Sequence, residues 1–382
     1  MPYITVRQNQ VEQQLSWDDI ISDRTRSFIL PYNKKCPTGT ITRFHQNIPE
    51  KWFWNVDYGK IARAFQMFNE KHEALFNVPR RELYHRFYIP KRHGGKREIN
   101  EPNPDLMAAL NELRYILEEV SGILYHTAAF AYVKGRSIVD MDMKHARNES
   151  NWFLKTDFEG FFPNTTLDFV LRMMSKIYPF SEMLDGTLRW QDDIRKAMSL
   201  AFLDGGLPQG SPVSPTISNM MMIPIDHKLF NALAEKRFVY TRYADDITIS
   251  CQQTFNHKEI IKLIKDTLTS FDAPFTLKDE KTKYVNNKGA NWMLGLMLNK
   301  DHQVTVGHER KKYMKASLCN FVMDWKHGKI WSPEDVMEVN GEISYYQMVE
   351  KEYVNYVINH MNQKFSVDIR ALLKAGIAGK LA

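Results

Sequence analysis

The 382-residue sequence contains only three cysteines, Cys36, Cys251 and Cys319, which are far apart and show no CxxC spacing. This scarcity argues against a disulfide scaffold and against a structural zinc site. No run approaches the roughly 18 apolar residues that span a bilayer. The N-terminus also lacks the basic start and the apolar stretch of a secretory signal. We therefore expect a globular protein of the reducing cytoplasm with no membrane partner.

An excess of charge of one sign is also missing, because 51 Lys and Arg stand against 45 Asp and Glu, a net charge of +6. This balance does not by itself indicate a nucleic-acid partner. The basic residues are nevertheless concentrated in two segments, 86–97 and 308–329. Such patches suit a polyanionic backbone, although a solvated surface explains either patch alone equally well.

The order of the predicted elements indicates an α+β architecture. The first 80 residues read as mostly helical, short strands occupy the middle of the chain, and the pattern after Gly307 is helical only. Strands confined to the middle, with helices before and after them, favour an α+β fold. We predict a helical N-terminal extension at 1–80, a core at 81–305 and a helical C-terminal domain at 306–382.

Three carboxylates carry the chemistry that the sequence predicts. Asp245 and Asp246 lie in a tight turn between strand-like runs at 238–242 and 247–250. Adjacent carboxylates repel each other unless a cation lies between them, and Mg²⁺ prefers carboxylate oxygens. A solvated acidic turn is the alternative, but Asp157 ends another apolar strand and supplies a third carboxylate. Three such groups would bind two Mg²⁺ ions, which clamp the attacking and leaving oxygens of a phosphoryl displacement.

Six segments in a fixed order resemble the reverse transcriptases, and specifically the bacterial branch that contains retron, group II intron and phage-defence enzymes. The resemblance covers about residues 81–300. The segments are YIPK with GGKR (88–97), GRSI (135–138), KTDF (155–158), GLPQGSP (206–212), RYADD (242–246) and LG (294–295).

The resemblance implies a right-hand polymerase, with fingers and palm at 81–305 and a thumb at 306–382. The implied activity is RNA-directed synthesis of DNA, in which dNTPs are added to the 3′ end of a primer. The implied cofactor is a pair of Mg²⁺ ions, for which Mn²⁺ can substitute. Asp157, Asp245 and Asp246 match the family's catalytic metal ligands, and the carbonyl of Phe158 would complete one metal shell.

The resemblance also implies a nucleotide site. Lys91 and Arg97 match basic finger residues that neutralise the incoming triphosphate, unless they are salt-bridged surface residues. Phe161 matches the steric gate, an aromatic ring that would clash with a ribose 2′-OH. Its neighbour Phe162 is the other candidate, and either ring could instead belong to the core. Gln209 matches a glutamine beside the nucleotide, with a polar helix-entry residue as the alternative.

Primer and template contacts are implied further along the chain. Tyr243 would lie under the primer end, and the strand from Trp292 to Gly295 would form the primer grip. The thumb would follow the minor groove of a template–primer duplex, which proteins recognise by shape, phosphates and 2′-OH groups. A solvated helix surface is the alternative for its basic face, which comprises Arg310, Lys311 and Lys315.

The relatives suggest a stand-alone, defence-associated enzyme that copies a dedicated, structured non-coding RNA from a DNA or RNA primer. The reason is that no RNase H pattern and no endonuclease cysteines follow the predicted thumb. This step is analogy with the family and follows from no residue. The alternatives are an RNA-directed RNA polymerase, a template-independent or protein-primed nucleotidyl transferase, and a catalytically silent RNA-binding scaffold. The sequence leaves the oligomeric state open.

Overall fold

The computed structural model describes two compact units. The first comprises residues 1–136, 154–249 and 256–283, and the second comprises 137–153, 250–255 and 284–382. The compact units therefore differ from the predicted parts, and the division into extension, fingers with palm, and thumb stays a prediction about function. The residues that the structure describes are 4–8, 11–15, 57–90, 94–184, 190–287 and 291–381.

The N-terminal segment corrects the helical prediction for residues 1–80. Strands β1 (Ile4–Gln8) and β2 (Val11–Leu15) pair as an antiparallel hairpin. The prediction is wrong there, and the β-branched residues of both segments favour the strand. Helices α1 (Tyr58–Lys71) and α2 (Glu73–Phe76) agree with it. The part of this prediction that concerns residues 16–56 lies outside the described residues.

The predicted strand pair and the helix after it are confirmed. Strands β3 (Tyr84–Pro90) and β4 (Lys96–Pro102) form an antiparallel ribbon in the first unit. Helix α3 (Pro104–Tyr115) follows and continues as a π-helical turn over Ile116–Val120. It begins where the side chain of Asn103 accepts a hydrogen bond from the backbone, which satisfies a free N–H of the first turn. Helix α4 (Ile138–Arg147) belongs to the second unit.

A five-stranded sheet carries the predicted carboxylates. Its order is β6–β7–β5–β8, and β9 also pairs with β5. The limits of the first unit fall within β5, β7 and β9. The strands are β5 (Trp152–Glu159), β6 (Val239–Tyr243), β7 (Asp246–Cys251), β8 (Thr276–Leu277) and β9 (Lys283–Asn286).

Helices of the first unit provide the apolar core around this sheet. The central one is α8, in which Met220, Met221 and Met222 are all fully buried. A helix that is apolar on every side belongs in a core. The helices are α5 (Leu167–Met174), α6 (Phe180–Met183), α7 (Trp190–Ser199), α8 (Ser214–Ala234) and α9 (His257–Ser270).

In its described residues, the second unit contains helix α4, a small sheet and four further helices. Strands β10 (Asn291–Met293), β11 (Leu296–Leu298) and β12 (Val304–Thr305) form an antiparallel sheet. The predicted strand from Trp292 to Gly295 is therefore shorter, because β10 ends at Met293 and a turn at Leu294 and Gly295 leads into β11. The helical prediction after Gly307 is confirmed by α10 (His308–Lys326), α11 (Pro333–Val349), α12 (Lys351–Phe365) and α13 (Ile369–Ile377).

None of the helices in the described part of the chain combines the length and the apolar character that crossing a membrane requires.

Candidate active site

The sheet brings together the three carboxylates that the sequence singles out. Asp157 lies near the end of β5, Asp245 in the turn between β6 and β7, and Asp246 at the start of β7. Each offers an oxygen, and these oxygens all lie within 4.8 Å of one another. Two backbone hydrogen bonds secure the arrangement. Phe158 N donates to Asp245 O at 3.2 Å, and Lys278 N donates to Asp157 O at 2.8 Å.

A buried ion pair holds the turn that carries Asp245. Arg242 and Asp226 are both fully buried, and their side chains approach to 2.7 Å. The Arg242 guanidinium also donates to the carbonyl oxygen of Ala244 at 3.0 Å, inside the turn. Tyr240 Oη donates to the same Asp226 carboxylate at 2.7 Å. The turn therefore rests on a polar network in the core, where charge-assisted hydrogen bonds are strong.

Burial and mutual repulsion make two of the carboxylates reluctant to ionise. The pKa of Asp245 is raised to about 6, first by burial and then by the charge of Asp157. The pKa of Asp246 is raised to about 7, again by burial first and then by the charges of Asp245 and Asp157. Three crowded carboxylate oxygens, two of them on groups whose pKa is raised, suit a hard divalent cation such as Mg²⁺ or Mn²⁺. The donor set therefore fits the metal that the resemblance implies.

Lys281 is a site residue that the sequence prediction missed. Its Nζ donates to Asp157 Oδ2 at 2.5 Å, and this hydrogen bond is the main reason why the pKa of Lys281 is raised. The lysine lies in a short 3₁₀ helix, Asp279–Lys281, that follows β8. Beside it, the hydroxyls of Thr282 and Thr156 are 2.8 Å apart. Only the pairing of β8 with β5 reveals this proximity, and no local sequence pattern marks the lysine.

The predicted nucleotide residues come together in part. The finger strand β4 carries Arg97, which is exposed. The same strand is hydrogen-bonded to Gln209, because Asn100 N donates to Gln209 O at 2.7 Å. Gly210 permits this approach, since a Cβ there would lie 2.7 Å from Asn100 O. Lys91 lies outside the described residues.

Burial favours Phe162 over Phe161 as the candidate steric gate. Phe161 is only 2% exposed, and its ring lies 5.5 Å from that of Phe158 and 5.1 Å from that of Phe275. A ring packed in this aromatic core has little surface left to contact a ligand. Phe162 is half-buried, and its carbonyl accepts from Leu207 N at 2.9 Å, next to the segment that carries Gln209. The chain leaves its regular strand at Glu159, so the pleat could not predict which of the two rings points inward.

The predicted primer-grip residues form a cluster within the second unit. The Arg310 guanidinium lies 5.3 Å from the centre of the Trp292 ring and donates to the carbonyl of Gly295. Trp292 remains 43% exposed. Gly307 makes room for it, because a Cβ there would lie 2.7 Å from the indole. Tyr243, in the first unit, is half-buried at the end of β6.

In the predicted basic face of the thumb, one of the lysines is already paired with a carboxylate. Lys311 Nζ lies 2.5 Å from a carboxylate oxygen of Glu350 and 4.5 Å from the centre of the Tyr353 ring. Lys315 lies over the same ring at 5.5 Å and is otherwise exposed. The charge of Lys311 is thus balanced inside the unit, which leaves Lys315 as the better candidate for a phosphate contact.

An antiparallel sheet with three carboxylates at adjoining strand ends is the arrangement expected of a metal-dependent nucleotidyl-transfer enzyme. Residues 89–311 match the family model described as reverse transcriptase (RNA-dependent DNA polymerase). The chain belongs to this family.

Relatives place the chain near the retron branch, as the sequence predicts. The retron Ec83 reverse transcriptase of Escherichia coli is 28% identical, over 71% of this chain and 84% of the relative. The retron Ec73 reverse transcriptase of Escherichia coli is 26% identical, over 74% and 87%. The retron Mx162 reverse transcriptase of Myxococcus xanthus is 36% identical, over 42% and 34%.

Among solved structures, apo telomerase from Candida tropicalis matches with a TM-score of 0.47 and 12% identity, over 78% of this chain and 62% of the telomerase. Telomerase from Candida albicans, in complex with a TWJ fragment of telomeric RNA, matches with a TM-score of 0.45 and 14% identity, over 83% and 62%. The chain thus spans about three fifths of the telomerases that it matches.

We predict that Asp246→Asn stabilises the metal-free protein. The folded-state pKa of Asp246 is raised to about 7, so the stability that its protonated form contributes is present in acid and is lost as the pH rises through that value. At pH 8 with EDTA the variant should melt a few degrees higher than wild type. The gain should vanish near pH 4 and shrink with Mg²⁺. The exposed Asp301→Asn is the matched control, and an equal gain there would contradict the prediction.

We predict that Arg242→Met destabilises the first unit by about 3–5 kcal/mol, because the Asp226 carboxylate would remain buried without its partner. Urea unfolding measures this loss. The double variant Arg242→Met with Asp226→Leu removes both charges and should be considerably more stable than the single variant. A double variant as unstable as Arg242→Met alone would show that the unpaired charge is not the cause.

Proposed function

We propose that this reverse transcriptase adds dNTPs to a primer 3′ end with two Mg²⁺ ions held by Asp157, Asp245 and Asp246. The observation that carries the proposal is the approach of the three carboxylate oxygens to within 4.8 Å. Such ions, when bound, neutralise charge on the phosphates and favour ionisation of the primer hydroxyl. The Phe158 carbonyl remains a proposed ligand.

The chain's own residues would bind and orient the nucleotide. The exposed Arg97 suits the triphosphate, because its planar guanidinium can donate two parallel hydrogen bonds to phosphate oxygens. Gln209 would lie beside the sugar, since its backbone already joins the finger strand. Lys281, hydrogen-bonded to Asp157, would hold that carboxylate in position before the substrate binds.

We further propose that the template is a structured non-coding RNA, that the primer is DNA or RNA, and that the enzyme acts in bacterial cytoplasm in anti-phage defence. This part of the proposal rests on analogy with the family branch that contains retron and phage-defence enzymes, and the retron relatives connect the chain with that branch. Sequencing the RNA that co-purifies with the protein, together with any cDNA made from it, tests it. Recovery of cellular RNA without a common species would contradict a dedicated template.

We predict that Asp245→Ala with Asp246→Ala abolishes Mg²⁺-dependent dNTP incorporation on an RNA template with a DNA primer. RNA binding should remain largely unchanged, because neither carboxylate attracts a polyanion. Gel analysis of labelled primer and a filter-binding assay measure the two properties, with Asp301→Ala as the control. Incorporation that persists in the double variant would contradict the proposed mechanism. Incorporation without template, or label attached to the protein, would instead favour the untemplated or protein-primed alternative.

We predict that Phe162→Ala, and not Phe161→Ala, relaxes the choice between dNTPs and NTPs. Removal of the half-buried ring at 162 would open space for a 2′-OH and should raise ribonucleotide incorporation. Removal of the core ring at 161 should instead lower stability by about 3–5 kcal/mol and leave the selectivity unchanged. Competition between dATP and ATP, together with thermal melting, separates the two effects. Relaxed selectivity in Phe161→Ala alone would return the gate to that residue.

A further inference from the structure

Tyr132 combines exposure with an unusual backbone conformation. The residue is 55% exposed, and its φ is +60°, in the left-handed region that a bulky residue seldom adopts. Within the described part of the chain, its side chain stacks on no other ring and makes no hydrogen bond. A strained residue with an unused side chain points to a function for that side chain, because strain of this kind persists where the surroundings impose it.

The segment before Tyr132 is attached to the strand that leads to Asp245. Arg242 N donates to Ala128 O at 2.7 Å, and Phe130 N donates to Arg242 O at 2.9 Å, so the segment runs parallel to β6. The Asn219 side chain also donates to Ala131 O at 2.8 Å. Tyr132 follows directly and is therefore held by the framework that supports the catalytic turn.

Arg136 fixes the other end of the same loop. Its Nη1 donates to the carbonyl oxygens of His126 and Ala129, each at 2.6 Å. Arg136 N also closes a turn onto Val133 O at 3.1 Å. The backbone on both sides of Tyr132 is thus secured by hydrogen bonds, and the position of the exposed ring is preorganised.

The electrostatic surroundings of Tyr132 include charged groups of the candidate active site. Desolvation raises the pKa of Tyr132, the charges of Asp245 and Tyr243 raise it further, and the charge of Arg97 lowers it. These charges act on the phenol, and the pairing of residues 128–130 with Arg242 places the Tyr132 backbone beside the strand that leads to Asp245.

We propose that Tyr132 contacts the primer-terminal base pair, with its ring packed against the sugar and base of the last primer nucleotide. This inference rests on the proposed function. An aromatic face contacts every base, so it suits an enzyme that must extend any primer end. The primer end is the part of the substrate that the neighbouring Asp245 must reach, whereas the uncharged phenol cannot balance the charge of a triphosphate as Arg97 can.

Three substitutions at one position test the proposal. Tyr132→Phe keeps the ring, Tyr132→Ala removes it, and Tyr132→Gly removes both the ring and the backbone strain. The matched control is Tyr115→Ala, which removes a tyrosine that is 60% exposed at the end of α3. The readouts are thermal melting, KM and kcat on an RNA template with a DNA primer, and the fluorescence of 2-aminopurine placed as the last primer base.

We expect Tyr132→Ala to raise the KM for primer–template about tenfold, within the range measured for base–aromatic stacking, and to leave the KM for dNTP nearly unchanged. Tyr132→Phe should behave as wild type. Tyr132→Gly should share the defect of the Ala variant and yet melt no lower than wild type, which a purely structural tyrosine would not do. The fluorescence of the terminal 2-aminopurine should rise in both variants that lack the ring.

Several results would overturn the inference. Ala and Gly variants that bind and extend primers as wild type does would exclude the contact. A Phe variant as defective as Ala would assign the function to the hydroxyl, for example as a nucleophile in self-priming. An equal defect in Tyr115→Ala would remove the specificity. The 2-aminopurine fluorescence reports the contact without any incorporation of dNTP. A wild-type protein that quenches the probe through Tyr132 but adds no dNTP would therefore contradict the proposed function and leave the proposed contact intact.

Discussion

The structure depends on holding the carboxylates of Asp157, Asp245 and Asp246 closer together than their charges favour. Burial and mutual repulsion together raise the pKa values of Asp245 and Asp246, so the arrangement opposes its own ionisation. The backbone must supply the compensation, and it does so through the hydrogen bond from Phe158 to Asp245 and through the pairing of β5 with β8. Within the described residues, Lys281 is the cation that contacts this cluster, and it neutralises only part of the charge. A divalent ion stabilises three crowded carboxylates more than it would stabilise a single one, because it also relieves their mutual repulsion.

Arg242 connects the supports of this site. Its guanidinium reaches Asp226 on α8 and the carbonyl of Ala244 in the catalytic turn, while its backbone pairs with the segment at 128–130. One buried residue therefore aligns a core helix, the turn and the loop that presents Tyr132. Because the pair is fully desolvated, loss of either partner leaves a charge that the interior cannot accommodate. This explains why an arginine can precede the turn in a strand that is otherwise buried.

Sequence reasoning succeeded where the signal was local or carried by order along the chain. The hairpin around Asp245 follows from alternating strand formers about a short turn, and Asp157 was found because it ends another apolar strand. It failed where the answer depends on a single torsion or on strand pairing. Whether Phe161 or Phe162 points inward is decided beyond the end of β5, and Lys281 reaches Asp157 only because β8 pairs with β5. The predicted strand across Leu294 is a hairpin because Leu294 and Gly295 both adopt positive φ, at 48° and 92°. A leucine in the sequence gives no indication of such a conformation.

Three of the nine described non-glycine residues with positive φ lie at or beside residues proposed to contact substrate. Ala244 in the catalytic turn has φ +57°, Tyr132 has φ +60°, and Leu294 beside Trp292 has φ +48°. None of the three is a glycine, and each would be relaxed by one. In the first unit, Ala244 is held by Arg242 and Tyr132 by the loop that pairs with Arg242, so both strained positions depend on the same buried residue. Because Arg242 holds both strained residues in place before substrate binds, less conformational entropy is lost on binding. Under the proposed function, the hydrogen bonds around Arg242 would therefore hold both positions ready for the primer end.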